Sequence, residues 1–161
     1  MSRHVIVRGA SIAAVAACVV VCIAAAAGAA TSASTYSLKA ALNSKQEVPK
    51  PKGAVHARGA LTARVKVAGK KSSFLWHLTL SGLSGRAQTA VIRIAPAGKT
   101  GPIAITLCHP CNRATDGGSS GAYFASPHFL KPLLHGRMYV NVTTKLNPRG
   151  EIRGQIKATA S

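Results

Sequence analysis

Apolar side chains recur at every second position through most of the chain beyond residue 35. In one run, Leu61, Val65 and Val67 alternate with hydroxyl and basic residues. Successive side chains of a β-strand point to opposite faces, so a period of two predicts a strand with one buried and one wetted face. The heaviest apolar face belongs to the run from Phe74 to Leu80. We expect that strand at the centre of the core.

About eight such runs follow one another at short spacing, separated by segments rich in Gly, Pro, Asn and Ser. No segment between them has the length and periodicity of a helix that could connect parallel strands. Ser126 and Pro127 are typical of a helix start, but Pro132 limits any helix there to a turn or two. The pattern predicts an all-β fold, an antiparallel β-sandwich of about eight strands with Greek-key connections.

The first thirty residues differ from the rest of the chain. A short basic start precedes residues 10–27, an almost unbroken apolar run that ends in small side chains. This is the pattern of a secretory signal peptide, so we assign residues 1–30 to a signal and expect cleavage after Ala29 or Ala33. Two alternatives stay open: a retained membrane anchor, since the run could just span a bilayer, and lipoprotein processing at Cys18. The first thirty residues therefore predict a secreted or extracytoplasmic location.

The remaining chain is strongly basic and long enough for a single domain. Without the signal, 19 Lys and Arg oppose only three acidic residues, a net charge of +16. Such a charge attracts polyanions such as acidic wall polymers, phospholipid head groups or nucleic acid, and salt weakens the attraction. Because the basic residues are spread singly along the sequence, no segment has the pattern of a nucleic-acid footprint, and we expect no specific nucleic-acid binding.

The final pair of runs predicts a β-hairpin around a four-residue turn. Asn147, Pro148 and Gly150 occupy the first, second and fourth turn positions, where a type I turn prefers these residue types. The side chains that alternate with the apolar ones are those of Tyr139, Asn141, Thr143, Glu151, Arg153 and Gln155. We expect this hairpin to have one core face and one outward face that carries these polar groups.

Two segments at opposite ends of the domain resemble the motifs of a known family. The stretch YVNVTT and the NPRGEIRGQI that follows it closely resemble the closing motif of the CHRD domain, a module named for chordin and also found alone in exported bacterial proteins. The QEVP at residues 46–49 resembles the opening motif of that family. The resemblance covers residues 36–158 and implies a single CHRD-type β-sandwich domain. The family-motif positions are Val91, Arg93, Tyr139, Asn141, Thr143, Glu151, Arg153 and Gly154.

At three of these positions the chain departs from the family pattern. Relatives often carry histidines where this sequence has Val91, Arg93 and Thr143. If relatives use them to hold a metal or a polar ligand, this chain lacks the imidazoles that such a site needs. His77 faces away from the apolar side of its own strand. A structure that brought Arg93, Thr143 and His77 into one pocket would indicate a remodelled ligand site.

The sequence Cys108-His109-Pro110-Cys111 is the sharpest local motif. Because the other two cysteines of the chain lie in the signal, this pair most simply forms a disulfide in an exported protein. One alternative is a thiol-disulfide redox pair, whose reactive thiolate usually lies at a helix N-terminus, although no helical pattern follows Cys111. Metal binding by the two thiolates with His109 is another.

Acidic side chains are too scarce for paired-carboxylate catalysis unless two of them meet in space. Asp116 lies in a Gly- and Ser-rich loop, and Glu47 belongs to the opening motif. Glu151 lies beside Arg149 and Arg153, where an ion pair is the simpler interpretation. No nucleophile-elbow sequence is present. We expect no catalytic residues, no cofactor and no metal site.

These features together favour an exported, non-enzymatic binding or structural module whose ligand is an extracellular or cell-surface component. One alternative is a thiol-disulfide redox protein that uses Cys108 and Cys111. Another is binding of polyanions, such as cell-surface polymers or anionic lipid, through the basic surface. Membrane attachment is expected only through an uncleaved signal segment.

Overall fold

The structure, a computed structural model, describes residues 33–161 except Val55, Lys70 and residues 112–116 and 124–126. All of these residues belong to one compact unit, Thr31–Ser161. The predicted signal at residues 1–30 lies outside the described residues, and so do Asp116 and the predicted helix start at Ser126.

Nine strands make up most of the described chain. They are β1 Ser34–Asn43, β2 Arg58–Ala68, β3 Lys71–Ser81, β4 Ala87–Ile94, β5 Ile103–Cys108, β6 Gly117–Tyr123, β7 Met138–Thr144, β8 Ile152–Gln155 and β9 Lys157–Ala160. The helical segments are short: 3₁₀ turns at Ser44–Gln46 and Pro127–Phe129, and α1 at Leu130–Leu134. The all-β prediction is therefore confirmed, as is the expectation that a helix in this region has only a turn or two; Pro132 lies within α1.

The last predicted strand is two strands in the structure. Ile156 separates them: β8 lies between β7 and β1 and pairs with both, whereas β9 pairs with β1. The Ile156 side chain is buried in the core, at the point where the chain leaves β7 and continues beside β1 alone. This switch raises the count from the expected eight strands to nine.

The strands are antiparallel and hydrogen-bond in the order β5-β4-β7-β8-β1-β2-β3-β6, with β9 added beside β1. The sequence β8-β1-β2-β3, in which a late strand returns beside the first of three consecutive strands, follows a Greek-key order. The sheet curls so that its two halves face each other. Leu38, Val65 and Phe74 of one half and Ile92, Ile105 and Met138 of the other line the same narrow apolar gap. The arrangement is sandwich-like, although the hydrogen bonding runs continuously from one half to the other.

The period of two in β2 and β3 places the core as expected. Phe74, Trp76 and Leu78 are buried, whereas Leu75 and His77 between them are exposed. Leu133 of α1 also joins the core cluster, so this short helix covers one part of it. The alternation that identified the strands also identified the side chains that hold the two halves together.

The closing hairpin forms, but the face predicted to point outward is not exposed to solvent. The Gly150 N–H donates to the Asn147 carbonyl at 3.1 Å, which is the hydrogen bond of the predicted turn. All seven residues of β7 are buried. The single-core-face expectation is therefore wrong, because loop segments cover the second face of the hairpin.

Candidate functional site

Polar side chains fill the covered face of the hairpin. Residues 46–52, which follow β1, approach it from one side, and residues 95–101, which connect β4 to β5, approach it from the other. We call the side chains enclosed there the buried polar cluster. Its members are the buried Glu47, Tyr139, Asn141 and Arg153 and the half-buried Arg93 and Gln155.

Arg153 fastens the 95–101 segment to the hairpin. Only 1% of this residue is exposed. Its Nη1 donates to the Lys99 carbonyl at 2.7 Å and its Nη2 to the Pro96 carbonyl at 2.9 Å. The guanidinium carbon lies 3.5 Å from the centre of the Tyr139 ring, a cation–π contact. Burial lowers the pKa of Arg153 from its ordinary value. All of these interactions lie inside the fold, so the role of the Arg153 cation is structural.

Glu47 holds the 46–52 segment on the same face. The residue is 4% exposed, and its Oε2 accepts a hydrogen bond from Asn141 Nδ2 at 2.7 Å. Burial raises the pKa of Glu47, and the hydrogen bonds from Val48 and Asn141 and the charges of Arg153 and Arg93 only partly oppose that rise. The Oδ1 atom of Asn141 has no hydrogen-bond partner in the part of the chain that the structure describes. The opening and closing family motifs therefore meet at a carboxyl–amide contact.

Gly150 is required at this contact as well as in the turn. Its φ of 148° lies in a region that side-chain-bearing residues rarely adopt. A Cβ at this position would overlap the Glu47 carboxyl and the Asn141 amide. Gly154 has a similar packing role, since a Cβ there would meet the Ala41 carbonyl of β1 at 2.6 Å. Both glycines of the closing motif let neighbouring segments approach closely.

Glu151 binds neutral donors, so the expected ion pair with Arg149 or Arg153 is wrong. Its carboxylate accepts from the Ser84 backbone and hydroxyl, from the Thr144 hydroxyl and, at 2.9 Å, from Asn147 Nδ2. Burial opposes ionisation of Glu151, but these hydrogen bonds outweigh it and hold its pKa below the ordinary value. Glu151 and Glu47 are thus held by separate sets of donors.

The three family positions that lack histidine do not form a pocket with His77. Val91 and Thr143 are buried, and Thr143 Oγ1 lies 2.7 Å from Thr89 Oγ1. Arg93 Nη1 donates to the Gly101 carbonyl at 2.8 Å. His77 lies exposed on β3, in the other half of the sheet. Among the residues that the structure describes, no three His, Cys, Asp or Glu side chains come together as metal ligands.

Cys108 and Cys111 form the predicted disulfide, with their Cα atoms 5.0 Å apart. Cys108 is the last residue of β5, and the Cys111 N–H donates to the Gln88 carbonyl near the start of β4 at 3.3 Å. Cys111 is only 4% exposed and so offers little surface to an attacking thiolate. The bridge closes the turn after β5, and the backbone bond of Cys111 fastens that turn to β4.

The surface of the described chain is almost uniformly basic. Glu47 and Glu151, its two acidic side chains, are both buried. Fourteen Lys and Arg side chains are exposed. They are Lys39, Lys45, Lys50, Lys52, Arg58, Arg64, Lys66, Arg86, Lys99, Lys131, Arg137, Lys145, Arg149 and Lys157. The positive charge of the sequence is therefore presented to solvent without exposed acidic side chains in this part of the chain.

Five of these cations share one side of the sheet. They are Lys39 of β1, Arg58, Arg64 and Lys66 of β2, and Lys157 of β9, and we call this surface the basic sheet face. Its other outward positions are mainly Ser, Thr and Ala. Lys39 and Arg64 border a shallow depression that also contacts His77. Sequence reasoning missed this grouping because the basic residues are spread along the chain and only the strand register places them side by side.

Comparison with known proteins identifies the family. The model of the CHRD domain family matches residues 38–156, from β1 through β8. No curated protein and no solved structure matches this chain. Among the described residues, no helix is long and apolar enough to cross a membrane. Since the family model spans most of the sequence and includes both motifs that meet at Glu47 and Asn141, the chain belongs to the CHRD domain family.

Proposed function

We propose that this protein is an exported, non-enzymatic CHRD-domain module that binds acidic polymers of a cell surface through its basic sheet face. The observation that carries the proposal is the strand register, which assembles five exposed cations on three neighbouring strands. Neighbouring strands lie about 4.8 Å apart, so the sheet holds these charges on a rigid support. A flexible polyanion can contact several of them at once.

Two lysines of this surface lie directly opposite each other. Lys39 of β1 is the cross-strand partner of Lys157 of β9. Like charges at directly opposed positions destabilise a sheet. An anionic group bound between them would relieve that repulsion, so the pair supports a ligand-binding role for this face.

The side chains between the cations favour a hydrated polymer over a lipid surface. The intervening positions are short hydroxyl and methyl side chains such as Ser37, Thr62 and Ala60. Leu75 is the large apolar side chain exposed on this face. Insertion into a membrane interface needs several aromatic or large aliphatic groups, whereas hydroxyl groups can hydrogen-bond a sulfated, phosphorylated or carboxylated chain.

Retention on immobilised heparin, measured over a salt gradient, tests the proposal. One variant carries Lys39→Gln, Arg64→Gln, Lys66→Gln and Lys157→Gln. The matched control removes four exposed charges elsewhere, at Arg86, Lys99, Lys131 and Arg137. We expect the wild type and the control to elute at similar salt and the face variant to elute much earlier, because polyanion binding depends on the number of cations in contact.

Equal elution of the two variants would overturn the proposal, since net charge alone would then explain retention. A second arm uses vesicles of anionic phospholipid. If the protein binds these vesicles more strongly than heparin, and the face variant loses that binding, the ligand class is a lipid surface and the polymer assignment is wrong.

A further inference from the structure

A second group of cations lies at the turn of the closing hairpin, away from the sheet face. Segment 49–52 and segment 145–150 line a surface cleft of about 370 Å³. Lys50 and Lys52 lie on the first wall, and Lys145 and Arg149 on the second. All four side chains are exposed, and the lining contains no acidic side chain. The cleft thus brings together charges that are about 95 positions apart in the sequence.

Hydrogen bonds across the floor fix the two walls. The Lys52 N–H donates to Asn147 Oδ1 at 2.7 Å, and Asn147 Nδ2 donates to the Lys52 carbonyl at 3.1 Å. Both bonds come from one buried amide, so the walls cannot shift independently. Pro49, Pro51 and Pro148 further restrict the backbone of the lining. The backbone that carries the cations is therefore held in place, which reduces the backbone entropy lost when a ligand binds.

The charge balance at the cleft stays positive despite the two buried carboxyl groups near its floor, those of Glu151 and Glu47. Asn147 Nδ2 also donates to Glu151, so one ionised group lies below the floor. That group is enclosed and takes further hydrogen bonds from Ser84 and Thr144. Four exposed cations oppose it, and an anion in the cleft would meet these cations first.

We propose that this cleft is a binding site for a small ligand with two adjacent phosphate or sulfate groups, one for each wall. The cleft volume falls within the range of about 300–1,000 Å³ that is usual for small-molecule sites. Arg149 can hold an anionic oxygen pair with its planar guanidinium, and the three lysines supply rotatable ammonium donors. Inorganic pyrophosphate has the required pair of charged groups and is the probe of choice.

Isothermal titration of the purified protein with pyrophosphate tests the site. The cleft variant removes one lysine from each wall, Lys50→Gln and Lys145→Gln. The matched control removes two lysines from the basic sheet face, Lys39→Gln and Lys157→Gln. We expect one saturable site whose affinity falls about tenfold or more in the cleft variant and less than about twofold in the control. A second cross-wall pair, Lys52→Gln with Arg149→Gln, should give the same loss.

Two results would overturn this site. One is an equal loss of pyrophosphate affinity in the cleft variant and the control, or no saturable binding. The other is inorganic phosphate binding as tightly as pyrophosphate, because a single group cannot engage both walls. Heparin retention of the cleft variant is measured in a separate experiment. The pyrophosphate titration therefore tests the cleft, and the heparin elution tests the basic sheet face, so the two proposals can fail independently.

Discussion

Lys39 and Lys157 are direct cross-strand partners on the exposed side of the β1–β9 pair. Without a bound anion, this arrangement should cost stability. We expect Lys157→Glu to raise the free energy of unfolding by roughly 0.5–1 kcal/mol, because repulsion becomes attraction. Urea unfolding at low salt measures the change. Lys131→Glu, on the exposed side of α1, is the control and should shift stability by less than about 0.5 kcal/mol.

Gly150→Ala tests the contact between the two family motifs. The new methyl group would overlap Glu47 and Asn141, and the backbone angle is unfavourable for alanine. We expect a loss of about 3 kcal/mol or more. Gly98→Ala is the matched control, since its φ of 74° is also positive but a Cβ there has open space. Its cost should be limited to about 1–2 kcal/mol of backbone strain. Similar losses in both variants would show that overlap with Glu47 is unimportant.

Arg153→Lys tests whether the planar guanidinium is needed inside the fold. Lysine keeps the charge but cannot reach the Lys99 and Pro96 carbonyls together while it stacks on Tyr139. We expect thermal or urea unfolding to show a loss of about 2–4 kcal/mol. Arg93→Lys, at a side chain with one carbonyl contact, should cost about 1 kcal/mol. If the two losses are equal, the second carbonyl bond and the ring contact contribute nothing.

Glu151→Gln should remove a pH-dependent part of the stability. The folded-state pKa of Glu151 is lowered, so its contribution is present above the ordinary pKa and is lost as pH falls through the folded value. We therefore expect the wild type to exceed the variant by about 2 kcal/mol at neutral pH, and the difference to shrink below about pH 4. Unfolding free energies measured across this range give the slope. A difference that does not change with pH would contradict the assignment.

Asn141→Val should also be more destabilising at higher pH, but through the raised pKa of Glu47. The folded-state pKa of Glu47 is raised, so its contribution is present below the ordinary pKa and is lost as pH rises through the folded value. Loss of the Asn141 amide removes a hydrogen bond that favours the ionised form and raises that pKa further. The destabilisation should be about 1–2 kcal/mol larger at about pH 8 than at about pH 4. Paired unfolding curves at the two pH values check the sign.

Local sequence patterns were sufficient for the strands, the turn and the disulfide. Phe74, Trp76 and Leu78 are buried because strand geometry alone decides their face. The turn bond from Gly150 to Asn147 follows from residue preferences over four positions. In each case the controlling interactions are close in sequence.

The buried polar cluster could not be predicted in the same way. Tyr139, Asn141 and Arg153 alternate with apolar residues, which favours a wetted face, yet two loops cover them. Those loops contain no periodic signal, and their contacts join residues 54 to 94 positions apart. The signs of the pKa shifts at Glu47 and Glu151 also depend on that cover. The basic sheet face depends on the strand register, and the cleft depends on the hydrogen bonds between the Asn147 side chain and the Lys52 backbone. No local pattern indicates either.

The disulfide also bears on self-association of this protein through the edge of its sheet. β5 lies at one end of the sheet order, and such an edge offers unpaired backbone groups to any passing strand. Here that edge has six residues, with Pro102 before it and the bridged loop containing Pro110 after it. We expect the prolines and the bridged loop to limit how far a neighbouring chain could extend the sheet at this edge. We expect the Cys108–Cys111 bridge to limit self-association at the β5 edge, so reduction should increase aggregation.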